Sequence, residues 1–177
     1  RLWGIEASDA RIEATARTLG ADVPFFLHGG CAYLDGVGDR FVRALQPLKR
    51  PLVLVKPEGG VSTAEAYGAF DACPAPVPEA VAAAAWDARR AQDVPLFNNL
   101  AAAAEGLMPE LQEVGRWLAR QPGVEGSLLC GSGSCTFAPC ESFEAACAAV
   151  AGARRRGWWA RATSFGSVRA LALGGEA

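Results

Sequence analysis

The sequence predicts an α+β chain: a ferredoxin-like split β-α-β domain that follows a smaller helix-and-hairpin segment. Three observations carry that expectation. From residue 51 the apolar patterns run strand, helices, strand, strand, helix, strand, the split β-α-β order with extra helices in the first crossover. Leu52-Val53-Leu54-Val55 is apolar without interruption, as in a strand covered on both faces. Residues 1–47 hold one helix and two short strands, too little for a domain of their own. The expected division is therefore 1–47, the tail of a first domain, and 48–177, the second. Arg1 is no translation start, and the chain reads as a piece that begins in mid-fold.

Composition narrows the function classes. The chain has 177 residues, of which 51% are hydrophobic, and a net charge of −2, so it can bury a core. That charge gives no electrostatic case for nucleic acid or an anionic membrane as partner. The one basic cluster, Arg154-Arg155-Arg156, ends an Ala-rich helix and suits its C-terminal dipole. No apolar run approaches the ~20 residues of a membrane-spanning helix. Six cysteines lie scattered with no C-x-x-C pair, and His28 is the sole histidine. Zinc-ligand spacing and a histidine-based triad are thereby absent, and reduced cysteines fit a cytoplasmic protein.

The elements follow in order. Ser8-Asp9 can cap a helix reaching about Thr18, with Ile12, Ala16 and Leu19 at helical spacing and Gly20 as its stop. Pro24 turns Val23 away from helical geometry, and the run Val23 to Leu27 asks for burial. Strands are expected near 31–34 and 40–45, joined by Asp35-Gly36-Val37-Gly38-Asp39. Pro51 opens the strand 52–55. Ser62 with Glu65 reads as a capping box for a helix from Thr63 to about Phe70. Further helices are expected at 79–91, after Asn98-Asn99, and from Pro109 to about Arg120, the last with a core stripe of Leu111, Val114 and Leu118. Strands 126–130 and 135–138 flank Gly131-Ser132-Gly133-Ser134. A helix at 142–153 and a strand at 158–164 complete the series, with Trp158 and Ala160 on one strand face and Trp159 and Arg161 on the other.

Three places can hold chemistry. Asp22, in a loop between Gly20-Ala21 and Val23-Pro24, is either a turn-former or a positioned base. The helix start from Thr63 to Tyr67 offers a hydroxyl and an aromatic ring. The loop Gly131 to Ser134 is a strand-turn-strand element without the lysine of a phosphate-binding P-loop. Read alone it is a hairpin turn, or a place where exposed N–H groups approach a ligand.

Taken together, these stretches resemble one family. Gly20-Ala-Asp-Val-Pro-Phe-Phe-Leu, Gly36-Val-Gly38, Val-Ser-Thr63-Ala-Glu-Ala-Tyr67, Asn99 and Gly131-Ser-Gly133-Ser-Cys-Thr-Phe137 are similar to the 4-diphosphocytidyl-2-C-methyl-D-erythritol kinases of the GHMP kinase superfamily. The resemblance runs from Arg1 to about Leu173. It implies a GHMP kinase fold and phosphorylation of a hydroxyl on a cytidine diphosphate methylerythritol substrate, with ATP and Mg²⁺, in the non-mevalonate route to isoprenoids. It makes Asp22 the catalytic base, Tyr67 a stacking partner for cytosine, and Thr63 a hydroxyl beside the site. Gly131, Ser132, Gly133 and Ser134 become the motif that supports the nucleotide phosphates. Departures are Asp39 where glutamate is usual and Cys130 where a small hydroxyl residue is common. The family's Gly-rich ATP loop is not in the sequence, so the chain on its own is expected to be an inactive partial form. A homoserine- or mevalonate-type kinase is the nearest alternative. A non-catalytic ferredoxin-like module is the other, favoured if Asp22 is buried and paired rather than facing a cleft.

Overall fold

The computed structural model describes residues 10–166, which divide into two compact units. One is formed by residues 10–48 with 86–94, the other by 49–85 with 95–165. The expected cap at Ser8-Asp9 lies outside the described residues.

In the first unit, α1 (Ala10–Leu19) buries Ala16 and ends at Gly20. Leu19, expected on the same apolar stripe, is instead 73% exposed. Residues 20–23 turn, and α2 (Phe25–His28) follows as a single helical turn that the sequence reading did not anticipate. Pro24 sits at φ −57°, ψ −34°, and leads into that turn from the position where proline is best tolerated. Winding the run into a turn spreads its side chains around the axis, so only part of it can be covered. Pro24 is buried, whereas Phe26 is 59% exposed. Ile12, Ala16, Leu19, Val23 and Leu27 line an apolar groove of about 430 Å³.

β1 (Cys31–Asp35) and β2 (Arg40–Leu45) pair antiparallel, with a register shift between Tyr33 and Leu34. Asp35 closes the connecting turn by accepting from the Gly36 N–H at 2.6 Å and pairing with Arg40 at 2.8 Å. His28 stacks on Phe41 with ring centroids 4.3 Å apart. The segment 86–94 groups with this unit, although the sequence places it in a crossover of the second. Its backbone supplies the cause: Gln46 N–H donates to Arg89 O, and Ala91 N–H donates to Gln46 O, each at 2.9 Å. Arg43 adds to the attachment by lying over the rings of Tyr33 and Trp86, 4.7 and 5.2 Å from their centroids.

The second unit is the split β-α-β sheet. β3 (Pro51–Lys56) is followed by α3 (Thr63–Ala72), α4 (Glu79–Asp87), α5 (Ala101–Leu107) and α6 (Glu110–Leu118). Then come β4 (Leu128–Leu129), β5 (Thr136–Pro139), α7 (Phe143–Arg155) and β6 (Trp159–Ser164). The sheet order is β4-β5-β3-β6, antiparallel throughout. Thus β3 is central, as its unbroken apolar sequence requires, with Leu52, Val53 and Val55 buried. α4 stops at Asp87, short of the 79–91 read from its alanines, and β4 keeps only two residues of the expected strand.

The core lies between one sheet face and helices α6 and α7. Val53, Val55, Ala138 and Ala160 meet Val114, Leu118, Ala146, Ala149 and Ala153, with Trp158 closing one end. The α6 stripe is buried as expected: Leu111 3% exposed, Val114 and Leu118 0%. The small face of α7 lets its backbone lie close to the sheet. Both α3 and α7 open on a serine cap, Ser62 accepting from Glu65 N–H and Ser142 from Ala145 N–H. Arg154 and Arg155 fall in the last turn of α7, where the dipole favours them. On β6, Trp159 is 52% exposed and Ala160 1%, so the two faces are as the alternation predicts.

Candidate active site

Asp22 belongs to the first unit. It follows directly on the Gly20 turn, and the buried Pro24 fixes the chain two residues later. Its side chain is exposed, and no hydrogen bond or ion pair engages the carboxylate among the described residues. The turn between β1 and β2 comes up beside it: a Cβ built on Gly38 would stand 4.0 Å from Asp22 Oδ1. Gly38 has φ +91° and Gly36 φ +71°, conformations that L side chains rarely adopt, so glycine is needed at both positions. This is a free carboxylate at a tight glycine turn. A turn-forming aspartate would bond its own backbone, and Asp22 does not.

The other candidates lie in the second unit. Ser62 caps α3, which sets Thr63 and Tyr67 one helical turn apart on the same face. Thr63 Oγ1 and Ser132 Oγ share a hydrogen bond of 3.0 Å, so the helix start is tied to the glycine loop. Tyr67 is 53% exposed, which excludes a core tyrosine. The structure therefore brings Thr63 and Ser132 together, with the Tyr67 ring one turn away.

The loop itself is held from several sides. Gly133 N–H donates to Cys130 O and Cys130 N–H to Cys135 O, both at 2.8 Å, closing the hairpin. Ser134, only 6% exposed, donates through its hydroxyl to Gly59 O at 3.4 Å. Asn98 is the strongest tie: its amide donates to Leu129 O at 2.9 Å and Gly131 O at 2.8 Å, while its side-chain oxygen accepts from Leu100 N–H at 2.9 Å. The N–H groups of Gly131, Ser132 and Ser134 donate to nothing among the described residues. A loop so anchored presents free N–H groups in a fixed arrangement, which suits an anionic ligand.

Sequence reasoning quoted Asn99 and passed over Asn98. The available signal was an Asn-Asn pair just ahead of a helix, which reads as a local cap. The local bond to Leu100 N–H is indeed there, but the two bonds to the loop cross more than thirty residues and leave no mark in a spacing pattern.

Residues 84–157 match the family of GHMP kinases, C-terminal. A 4-diphosphocytidyl-2-C-methyl-D-erythritol kinase from Desulfitobacterium hafniense is 37% identical over 145 residues, which is 77% of this chain and 49% of that protein. One of the same name from Pelotomaculum thermopropionicum is 35% identical over 158 residues, covering 87% and 55%. A crystal structure of 4-(cytidine 5'-diphospho)-2C-methyl-D-erythritol kinase superposes with a TM-score of 0.69 at 35% identity, over 89% of this chain and 57% of that one. Residues 84–157 are thus similar to the C-terminal domain of the GHMP kinases, and the fold of the chain is theirs. Homoserine kinase from Cytophaga hutchinsonii shares the fold, with a TM-score of 0.63 at 18% identity over 94% of this chain and 59% of that one. The chain spans about half the length of the curated relatives it matches. Among the described residues, no helix is long and apolar enough to cross a membrane.

Proposed function

We propose that this chain is the acceptor-side portion of a cytoplasmic, ATP-dependent kinase that phosphorylates a hydroxyl of 4-diphosphocytidyl-2-C-methyl-D-erythritol, in the non-mevalonate route to isoprenoids. Phosphoryl transfer depends mostly on positioning and charge neutralisation, so one well-placed carboxylate is enough for its acid–base part. Asp22 takes that part. It accepts the proton of the attacking hydroxyl as the new P–O bond forms and ADP departs. Its exposure and lack of partner suit a base that must meet its substrate, and they count against a buried, paired structural aspartate.

The observation that carries the choice of substrate is the 3.0 Å bond between Thr63 and Ser132, with exposed Tyr67 one turn along α3. It ties the start of the helix that carries Tyr67 to a loop with unpaired N–H groups, and we read the two together as fitted to a base and its phosphates. Tyr67 stacks on the cytosine, Thr63 holds the helix start to the loop, and Gly131, Ser132, Gly133 and Ser134 support phosphate oxygens. Mg²⁺ is carried with the ATP phosphates and keeps several of its waters, so it asks little of the protein. Among the described residues no three His, Cys, Asp or Glu gather as a metal cluster, and the ion is counted here with the nucleotide.

Stacking of one base contributes ~1–3 kcal/mol. Tyr67→Ala should therefore weaken the cytidine substrate by about ten- to a hundredfold while leaving the ATP affinity near its starting value. Equal losses for both ligands, measured by titration, would remove Tyr67 from the cytidine site.

A further inference from the structure

The glycine loop is bracketed by two cysteines that the proposed kinase chemistry does not use. β4 and β5 pair Leu128 with Phe137 and Leu129 with Thr136. Continuing that register by one step sets Cys130 opposite Cys135, and the 2.8 Å bond from Cys130 N–H to Cys135 O shows that the pairing does continue. Residues directly opposite in an antiparallel pair project from the same face, with Cβ atoms roughly 4.5–5.5 Å apart. A disulfide asks for Cα atoms ~4.4–6.8 Å apart and Cβ atoms ~3.5–4.5 Å apart. The Cα spacing of a hydrogen-bonded pair already falls within that range, and a small approach of the side chains completes the geometry. Cys130 is exposed and Cys135 half-buried, so the pair sits at the surface.

From this placement we propose that Cys130 and Cys135 form a reversible dithiol–disulfide couple that accepts low-molecular-weight disulfides such as glutathione disulfide, and that its oxidised form covalently closes the loop from Gly131 to Ser134. The neighbouring Cys130 thiol lowers the Cys135 thiol to about 7. Burial opposes this effect, and the positive charge of Lys56 adds to it. Cys135 in turn, together with burial, pushes the Cys130 thiol up. A thiol near ambient pH is well matched to exchange with a disulfide. The Cys135 thiolate attacks one sulfur of glutathione disulfide, whose S–S bond breaks to release a glutathione thiolate. Cys130 then loses its proton to water and attacks Cys135 Sγ, expelling the second glutathione thiolate. Two protein thiols are oxidised and one small disulfide is reduced to two thiols, so atoms and electrons balance. Cys31, Cys73, Cys140 and Cys147 have no such pairing across a hairpin; Cys140 is buried, while Cys73 and Cys147 are exposed.

The test is exposure of the reduced, folded protein to glutathione disulfide near neutral pH, followed by alkylation of the remaining thiols and fragmentation mass spectrometry. The expected product carries an intramolecular bond between Cys130 and Cys135, while Cys73 and Cys147 carry glutathione or the alkyl label. Cys130→Ser, a surface change that keeps the hairpin's backbone bonds, should trap glutathione on Cys135 instead. Amide hydrogen exchange at residues 131–134 should be slower in the oxidised form and return to its starting rate after reduction. Separate labelling of Cys130 and Cys135 in folded protein whose Cys73 has reacted would overturn the proposal, as would a bond that forms only in denaturant. None of these readouts depends on kinase activity, so their failure and that of the proposed function are separable.

Discussion

Asp22 and Asn98 represent two ways in which a single residue supports a site. Asp22 contributes a carboxylate that nothing else in the described structure uses. Changing it to asparagine keeps size and shape, so the fold should stand: thermal unfolding should shift by no more than a degree or two, as expected of a surface substitution. A general base contributes ~10²–10⁴-fold. In protein expressed from its whole reading frame, Asp22→Asn should reduce kcat on that scale with little change in KM, and near-normal turnover would rule Asp22 out as the base. Asn98 acts differently, through two hydrogen bonds that fix the glycine loop and a third, from Leu100 N–H, that holds its own side chain in place. Asn98→Ala leaves Leu129 O and Gly131 O without that donor, at a cost of about 1–3 kcal/mol. Amide exchange at residues 129–133 should rise while β3 and β6 keep their protection. Uniform loosening of the whole second unit would show that Asn98 is a general stability residue.

Helices and strands show where the sequence was legible. The stripe on α6 and the alternation on β6 were readable because burial on one face leaves a period, 3.6 or 2, in the residues themselves. The central place of β3 was readable for a different reason: a strand covered on both faces shows an unbroken apolar run. The helical turn α2 was not, because four residues are too few to show a period and Pro24 argues equally for a turn and for a helix start. Nor was the attachment of 86–94 to the first unit, which rests on backbone bonds at Gln46 and on one arginine over two rings. The seam between α6 and α7 offers an element-scale test. A Cβ on Gly152 would come 2.8 Å from Trp117 Cζ2, closer than real contacts allow. Alanine is normally favoured over glycine in a helix by ~1 kcal/mol. Here overpacking at a cost of ~1–3 kcal/mol should dominate, so Gly152→Ala should lower the unfolding midpoint in denaturant. A rise would mean that Trp117 turns aside at no cost.

For the molecule as a whole, the larger of two core clusters in the second unit underlies β3, β5 and β6, and Leu118 is among its largest fully buried side chains. Leu118→Ala should cost about 2–5 kcal/mol. The loss should reach residues 131–134 as well as the sheet, because β4 and β5 carry that loop. Of the candidate site, Asp22, Thr63, Tyr67 and the glycine loop were legible only as an ordered set that resembles one family; singly, each read equally well as a turn, a cap or a hairpin. The Thr63–Ser132 contact spans sixty-nine residues, and only the fold brings its partners together. The central claim is that this chain serves a kinase for the cytidine substrate, and a substrate panel tests it most directly. Protein expressed from its whole reading frame, given ATP and Mg²⁺, should phosphorylate 4-diphosphocytidyl-2-C-methyl-D-erythritol and leave homoserine and mevalonate unchanged. Phosphorylated homoserine or mevalonate, or no product from the cytidine substrate, would contradict it.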